Sequence, residues 1–219
     1  MARYLVLTGY DNNMQEVGDR CAATHRAYAD RHGYDQETVR HYLPTSHPSH
    51  QKIRLLRERI DRYDAILWLD ADSVVMNKWF SFDWFVRRGS GHVMDISVDW
   101  CAPVEDDDRP QDTTYVSCGN FILWNTPDTA AFINEWDKHS ERFALREVCC
   151  WEQDGLRSAM MGSPWMNTRV RRHPRRIFNA VHETCTNRNF PKVAPKPYQP
   201  GDFILHLTNV DRIAILDSL

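Results

Sequence analysis

The sequence predicts an α/β fold in which an open, twisted sheet is flanked by helices. Strand and helix patterns alternate through residues 4–69, and this alternation is typical of a sheet wound with helices. Residues 66–69 form an uninterrupted apolar run, which is the pattern of a strand buried on both faces. Asp70 and Asp72 follow this run directly. Because open α/β sheets bind ligands at the carboxyl ends of their strands, we expect the two aspartates in a ligand site.

Each element is predicted from its own local pattern. The apolar run over residues 4–7 predicts a strand, and Thr8-Gly9-Tyr10 predicts a turn at its carboxyl end. Apolar residues at helical spacing predict a helix over residues 14–32, which Gly33 ends. The later predicted elements are a strand over residues 37–42, a helix over 51–63, the strand over 66–69, a strand over 91–98, a bent strand or strand pair over 115–124 around Gly119-Asn120, a helix over 151–161 and a strand over 203–207.

Length and composition indicate a single globular domain over residues 1–219. A hydrophobic share of 42% and an aromatic share of 11% argue against long disorder. No stretch reaches the roughly 18 uncharged apolar residues of a membrane span. The apolar run at the N-terminus is too short for a signal peptide. We therefore expect a cytoplasmic protein without a membrane span.

Positive charge is concentrated in one part of the chain. The net charge is −3, yet residues 157–200 are rich in Lys and Arg and contain one acid, Glu183. Two interpretations of this charge are open: a solvated surface loop, or an anion-binding site for a donor diphosphate or a nucleic acid. The arginine cluster within this segment consists of Arg169, Arg171, Arg172, Arg175 and Arg176.

The paired aspartates form a DxD motif. Two carboxylates that leave a strand at i and i+2 can share a hard cation such as Mg²⁺ or Mn²⁺, and such a cation usually holds a phosphate-bearing substrate. The motif therefore points toward nucleotide-sugar chemistry. A phosphate-binding NTPase loop is excluded, because G-x-x-x-x-G-K-[ST] is absent. A phosphatase with Asp70 as nucleophile stays open as an alternative, although that motif belongs on the first strand of such folds.

Three further side chains suit such a site, and each has a structural alternative. His206 follows the apolar residues 203–205 and is either a structural strand histidine or a third metal ligand. Asn120 either serves a tight turn after Gly119 or hydrogen-bonds a sugar hydroxyl. Lys52 is either an exposed lysine or a contact to the donor phosphates.

The helix predicted from Trp151 begins with two acids and an amide. Glu152 and Asp154 complement the positive end of a helix dipole, which is the structural explanation for acids at this point. The functional explanation places Gln153 and Asp154 against the donor sugar, with one carboxylate stabilising oxocarbenium charge.

In this order, the motifs resemble those of a metal-dependent glycosyltransferase of the GT-A fold. The resemblance is to the galactosyl/xylosyltransferase family of yeast mannan galactosyltransferases and plant xyloglucan xylosyltransferases. The motifs run over nearly the whole chain, and each is weak alone. They are His50-Gln51-Lys52-Ile53-Arg54-Leu55-Leu56, Leu67-Trp68-Leu69-Asp70-Ala71-Asp72, Cys118-Gly119-Asn120-Phe121-Ile122-Leu123-Trp124-Asn125, Trp151-Glu152-Gln153-Asp154-Gly155-Leu156 and Phe203-Ile204-Leu205-His206-Leu207.

The resemblance implies an open, mixed, Rossmann-like sheet, with a nucleotide-binding half over about residues 1–100 and a sugar and acceptor half over 101–219. It implies a nucleotide-diphosphate sugar donor such as a UDP-sugar, Mn²⁺ or Mg²⁺, and transfer with retention of anomeric configuration. On this resemblance Asp70, Asp72 and His206 hold the metal. The implied donor contacts are Thr8, Gly9, Tyr10, Lys52, Asp70, Ala71 and Arg212, and the implied catalytic residues are Gln153, Glu152, Asp154 and Asn120.

The chain departs from the family pattern after His206. The family usually has a glycine and a basic residue there, whereas this chain has Leu207-Thr208-Asn209-Val210-Asp211-Arg212. The diphosphate contact then falls to Arg212 or to the arginine cluster. Family members from eukaryotes carry a membrane anchor, so its absence suggests a bacterial or viral enzyme, with a glycan or a modified base in nucleic acid as acceptor. A non-catalytic nucleic-acid-binding module built on the arginine cluster remains a further alternative.

Overall fold

The computed structural model describes residues 2–40, 48–86, 91–99, 102, 110–144, 150–185 and 197–219. Strands and helices alternate along these residues. The strands are β1 (Tyr4–Tyr10), β2 (Asp35–Arg40), β3 (Ala65–Leu69), β4 (Ser73–Val75), β5 (Met94–Val98), β6 (Val116–Trp124), β7 (Val170–His173), β8 (Ala180–Val181) and β9 (Ile204–His206). The α-helices are α1 (Gln15–His32), α2 (Pro48–Arg57), α3 (Phe82–Val86), α4 (Thr129–Ala144), α5 (Trp151–Gly162), α6 (Pro164–Thr168), α7 (Arg175–Phe178) and α8 (Arg212–Ser218).

The larger sheet is mixed and six-stranded, with the order β2-β1-β3-β6-β5-β7. β1 is parallel to β2 and β3, whereas β6 is antiparallel to both β3 and β5. β7 is parallel to β5. The predicted open, mixed sheet with flanking helices is thereby confirmed. The carboxyl ends of β1, β3 and β5 and the start of β6 consequently share one edge of the sheet, called the carboxyl edge below.

A smaller sheet extends the structure beyond this edge. It has the order β4-β9-β8, with β4 antiparallel and β8 parallel to β9. Ser73 of β4 lies opposite His206 of β9. Because β4 begins directly after the DxD motif, this pairing brings His206 beside Asp72.

β3 is buried on both faces, which explains its uninterrupted apolar sequence. Ile66 and Trp68 pack in a core cluster that includes residues of α2 and α4. Leu67 and Leu69 pack in a second cluster with residues of α1 and α7. The strand that carries the DxD motif is therefore held rigidly between two helical layers.

Two strands differ from their predictions in different ways. Thr8-Gly9-Tyr10 is not a turn, because these residues continue β1 and pair with residues 38–40 of β2. Residues 116–124 are one strand and not a strand pair, and the register of β6 against β5 shifts between Ile96 and Val98, which agrees with the bent-strand alternative. The glycine at position 119 has a packing role in this strand. His206 lies directly against it, and only a residue without a Cβ atom allows that close approach.

The helix predictions were right in kind and differ in their bounds. α1 ends at His32, and Gly33 follows in the left-handed region with φ 68°, as predicted for a glycine stop. α2 begins at Pro48 and ends at Arg57, whereas the apolar spacing predicted residues 51–63. Proline is favoured at the first turn of a helix, since it has no amide hydrogen to leave unpaired. Within the described residues, no helix combines the length and apolar character needed to cross a membrane.

The arginine cluster is not a solvated loop. Arg169 pairs with Asp128 at 2.6 Å, and Arg176 pairs with Asp202 at 2.6 Å. Arg171 donates to the buried carboxylate of Asp95. The remaining two arginines are buried, with 4% of Arg172 and 1% of Arg175 exposed. Each arginine of the cluster is thus paired with a carboxylate or buried, which does not favour the nucleic-acid-binding hypothesis.

Close packing of α4 on α5 leads to a stability prediction at Gly155. A Cβ atom there would lie 2.6 Å from the Ser140 Cα atom, which is backbone and cannot move aside. We expect Gly155→Ala to lower the free energy of unfolding by about 1–3 kcal/mol through overpacking. Gly162→Ala is the control, because the nearest atom to its Cβ would be 3.8 Å away. Urea denaturation followed by circular dichroism tests this; equal midpoints for the two variants would contradict it.

The buried histidine His25 should make the free energy of unfolding depend on pH. His25 is fully buried, and its Nε2–H donates to the Ser73 carbonyl at 2.7 Å. Burial lowers the pKa of His25 from 6.5 to about 4, so the unfolded chain binds a proton that the folded chain does not. The stability contributed by neutral His25 is present above pH 6.5 and is lost as the pH falls toward 4. We expect the wild type to lose about 3 kcal/mol more than His25→Gln between pH 7 and 4. Parallel curves of unfolding free energy against pH would refute this.

Candidate functional site

The two aspartates of the DxD motif lie at the carboxyl edge, in the turn between β3 and β4. The backbone N–H of Asp70 donates to the Gly119 carbonyl at 2.9 Å, and the Ser73 N–H donates to the Asp70 carbonyl at 3.1 Å. The Trp68 indole Nε1–H donates to Asp70 Oδ1 at 2.7 Å. These bonds hold the Asp70 carboxylate beside the end of β3. Burial raises the pKa of Asp70, although the Lys52 ammonium acts in the opposite direction.

His206 joins the aspartates through the pairing of β4 with β9. Its Nε2 atom lies 3.3 Å from Asp72 Oδ1, and the Leu207 N–H donates to the Asp72 carbonyl at 2.8 Å. One ligand atom from each of Asp70, Asp72 and His206 lies within 4.8 Å of the others. Two carboxylate oxygens and an imidazole nitrogen are a donor set that suits Mn²⁺.

The surroundings of His206 fit a metal ligand. Its Nδ1 is 2.8 Å from Asn179 Oδ1. An amide oxygen only accepts hydrogen bonds, so the imidazole donates from Nδ1 and turns Nε2 toward Asp72. Burial lowers the pKa of His206, but the carboxylates of Asp72 and Asp70 together raise it above its usual value. The residues present are therefore compatible with a divalent cation at Asp70, Asp72 and His206.

Gly119 leaves room for His206, so a larger residue at position 119 should disturb the histidine. A Cβ atom at Gly119 would lie 2.5 Å from His206 Cε1 and 3.0 Å from Nδ1. We expect Gly119→Ala to push the imidazole aside and weaken Mn²⁺ affinity by roughly 10- to 100-fold, because the orientation of the histidine ligand would be lost. Isothermal titration calorimetry with Mn²⁺ measures this. In a His206→Ala background the same change should cost little, and an equal loss in both backgrounds would show that the clash is not the cause.

Arg212 lies on the outer side of the Asp72 carboxylate. Its Nε and Nη2 atoms are both 2.9 Å from Asp72 Oδ2. Burial of Asp72 would raise its pKa, but His206 and Arg212 together hold the pKa of this carboxyl well below its usual value. Asp72 is therefore an ionised group that lies between His206 and the Arg212 guanidinium.

Lys52 is not an exposed lysine, because only 2% of its side chain is accessible. Its ammonium lies 3.0 Å from Asp70 Oδ1 and 2.7 Å from Glu152 Oε1, and it donates to the Cys118 carbonyl at 2.6 Å. Burial of the ammonium lowers its pKa, but the two carboxylates raise the pKa of Lys52 above its usual value. The lysine is thus a charged link between the DxD motif and the start of α5.

The three polar residues at the start of α5 have different surroundings. Glu152 is 6% exposed and is engaged by Lys52. Gln153 accepts a hydrogen bond from the Cys118 N–H at 3.0 Å and donates to Asp99 at 2.7 Å. Asp154 is half-buried, and burial raises its pKa. Among the described contacts, none joins Asp154 to the DxD motif.

Asn120 lies neither in a turn nor at the surface. It is fully buried in β6, where its Nδ2–H donates to the Phe178 carbonyl at 2.9 Å. Its Oδ1 accepts from the Asp70 N–H at 3.3 Å. Asn120 therefore ties the DxD turn to α7 and acts on the site through Asp70.

A cavity of about 610 Å³ opens at the carboxyl edge beside the aspartates. Thr8 is buried and does not line it, whereas the other residues predicted to contact the donor do. The lining residues are Gly9, Tyr10, Asp11, Asn13, Met14, Pro48, Ser49, Lys52, Trp68, Asp70, Ala71, Asp72, Trp151 and Arg212.

Three residues of the site were missed from the sequence. Trp68, Asn179 and Asp99 hold Asp70, His206 and Gln153 respectively. Trp68 lies in β3, two residues before Asp70, so the alternation of the strand turns both side chains to the same face, and this spacing was a usable signal. Asn179 and Asp99 are far in sequence from their partners, and no local pattern marks them.

Part of the sequence matches a known family. Residues 3–87 match the galactosyl transferase GMA12/MNN10 family, a segment that contains Lys52 and both aspartates but less than half of the chain. No curated protein matches the sequence.

Solved structures show the fold over nearly the whole chain. A glycosyltransferase involved in the glycosylation of the major capsid of PBCV-1 is similar with a TM-score of 0.65 and 14% identity, covering 99% of this chain and 98% of that one. The chain has the GT-A fold. The galactosyltransferase LgtC, in complex with donor and acceptor sugar analogs, is similar with a TM-score of 0.55 and 12% identity, covering 93% and 87%.

A third solved structure contains a metal. It is a Drosophila β1,4-galactosyltransferase 7 mutant in complex with manganese, UDP-Gal and xylobiose, similar with a TM-score of 0.51 and 12% identity over 95% of this chain and 72% of that chain. The matched family and the similar structures alike are glycosyltransferases. Neither supports the phosphatase or the nucleic-acid-binding alternative.

Proposed function

We propose that this protein is a glycosyltransferase, which transfers a sugar from a UDP-sugar to a glycan acceptor with a divalent cation held by Asp70, Asp72 and His206. One observation carries the proposal: the ligand atoms of Asp70, Asp72 and His206 converge, and the two aspartates line a cavity on the carboxyl edge that is large enough for a nucleotide sugar. The matched family and the UDP-Gal complex of a similar structure support the donor class.

The donor would lie across the cavity from β1 to Arg212. Gly9 and Tyr10 line the end beside α1 and would contact the base and ribose. Arg212 lines the same cavity next to the metal ligands, and its planar guanidinium can bind phosphate oxygens in a bidentate manner. The diphosphate contact is therefore assigned to Arg212, because it lines the cavity and no arginine of the cluster does.

The proposed cation is Mn²⁺ or Mg²⁺, and manganese in the similar Drosophila structure favours the first. When bound, it would neutralise charge on the departing diphosphate. Lys52 keeps Asp70 in place from the buried side, and Asn179 orients His206. These contacts from Lys52 and Asn179 preorganise the metal ligands before the donor binds.

The sugar end of the site is proposed at the start of α5. Gln153 would lie beside the sugar ring, with transfer occurring with retention as the family resemblance implies. Glu152 is engaged by Lys52, so its role is to hold the lysine rather than to exchange protons. Residues 101–219 would supply the acceptor side, and acceptor sugars in two similar structures favour a glycan as acceptor.

A donor-binding screen tests the function. Thermal shift is measured with UDP- and GDP-sugars, each with and without Mn²⁺, and the binding donor is then incubated with a panel of glycans. We expect a Mn²⁺-dependent shift with one UDP-sugar, followed by transfer whose product anomer is read by NMR. Failure of every nucleotide sugar to bind or to be hydrolysed, with Mn²⁺ present, would refute the proposal. An inverted product would refute only the retention.

A further inference from the structure

Gln153 is held at both ends of its side-chain amide. Its Oε1 accepts from the Cys118 backbone N–H at 3.0 Å, and its Nε2 donates to Asp99 Oδ2 at 2.7 Å. A backbone N–H only donates and a carboxylate only accepts, so a flipped amide would face a donor with its nitrogen and an acceptor with its oxygen. The amide therefore has one favourable orientation.

Asp99 is itself held firmly enough to impose that orientation. It is 4% exposed and follows β5 at the carboxyl edge. Its backbone N–H donates to the Tyr115 carbonyl at 2.9 Å, before β6 begins. Its carbonyl accepts from Arg175 Nε at 3.0 Å, and Arg175 is 1% exposed. The main chain of Asp99 is thus tied to two neighbouring segments.

We infer that Asp99 is a positioning residue for the transfer reaction, because it holds the amide of Gln153 in a single orientation at the sugar end of the site. The inference rests on the proposed function for its catalytic consequence, and on geometry alone for the contact. Neither Asp99 nor Gln153 lines the cavity that would hold the donor, whereas Trp151 at the start of α5 does. Asp99 would therefore act on the site through its contact with Gln153.

Positioning has a different kinetic signature from donor binding. Loss of orientation at Gln153 should affect the reacting sugar, while the nucleotide and metal contacts at Tyr10, Asp72 and Arg212 stay intact. We expect Asp99→Leu to lower kcat by roughly 10- to 100-fold, because small misplacements at a reacting centre have effects of this size. The donor KM should change less than about 3-fold, since ground-state binding is preserved.

The conservative variant separates orientation from charge. In Asp99→Asn the side-chain oxygen can still accept from Gln153 Nε2, so kcat should stay within about 3-fold of the wild type. Asp137→Asn and Asp137→Leu are the matched controls. Asp137 is on α4 and forms a surface ion pair with Arg57, the last residue of α2. Neither change at Asp137 should alter kcat.

Exchanging the carboxylate of Asp99 and the amide of Gln153 tests the contact through the melting temperature, without an activity measurement. Gln153→Glu places a second carboxylate next to Asp99, and like charges at that distance repel. We expect the melting temperature to fall by several degrees. Adding Asp99→Asn restores a donor–acceptor pair with its direction reversed, so the double variant should recover most of the lost melting temperature.

The outcomes separate this inference from the proposed function. Additive melting temperatures in the swap, or wild-type kcat in a folded Asp99→Leu variant, would overturn the inference. If the wild type binds no donor, the proposed function fails, while recovery in the swap would still establish the contact. If Asp99→Leu does not fold, the kcat of Gln153→Glu against that of the swap variant decides, with at least 5-fold recovery expected.

Discussion

Replacing Asp72 with asparagine is expected to reduce the transfer rate by about 10²- to 10³-fold. The change keeps the volume of the side chain and removes a charge that contacts both His206 and Arg212. Metal-assisted stabilisation of a departing diphosphate contributes several kcal/mol, and each 1.4 kcal/mol or so is tenfold in rate. The measurement is kcat/KM for the UDP-sugar that binds, across a Mn²⁺ titration.

The same variant should need more Mn²⁺ for half-maximal activity, because one ligand of the cation has lost its charge. Asp217→Asn is the matched control. Asp217 is exposed and pairs with Arg20 far from the cavity, and its loss should leave both the rate and the Mn²⁺ dependence unchanged. An Asp72→Asn enzyme with unaltered Mn²⁺ dependence would show that the cation does not bind at the DxD motif.

Replacing Lys52 with methionine is expected to cause the largest loss of stability. The ammonium is buried between the carboxylates of Asp70 and Glu152, and methionine leaves both without their shared counter-charge. Removing one partner from a buried ionic group costs about 3–5 kcal/mol. Urea denaturation at pH 7 measures the change in unfolding free energy.

A second substitution tests whether uncompensated charge is the cause. Glu152→Gln in the Lys52→Met background removes one of the two carboxylates, so part of the lost stability should return. Lys138→Met is the matched control, because Lys138 forms an exposed pair with Glu135 and exposed pairs contribute about 0–1 kcal/mol. Equal destabilisation by Lys52→Met and Lys138→Met would contradict the interpretation of Lys52 as a buried link.

Local patterns predicted the parts of the fold that depend on neighbours in sequence. The apolar run before Asp70 indicated a strand buried on both faces, and β3 is one. Gly33 indicated the end of α1, because the left-handed conformation of a helix stop needs no distant partner. The β4–β9 pairing, by contrast, depends on residues more than a hundred positions apart, yet its apolar segment at 203–207 was recognisable as a strand.

The alternatives that the structure excludes share a physical cause, because each concerns a side chain whose surroundings come from distant segments. Lys52 has the sequence context of an exposed helical lysine, and only the folded chain places Glu152 beside it. Gly119 and Asn120 have the composition of a turn, yet His206 and Phe178 pack against them within a continuous strand. The arginine cluster has the composition of a basic loop, and its acidic partners lie in other elements.

The sequence by itself determined the class of fold and the position of the DxD motif at the end of a buried strand, because both follow from local periodicity and polarity. The tertiary structure alone decided which side chains share the site. It placed His206 at 3.3 Å from Asp72, joined Lys52 to both Asp70 and Glu152, and set Asp99 against Gln153. Such contacts depend on strand order and helix packing, since buried charges and amides need partners that local sequence does not supply.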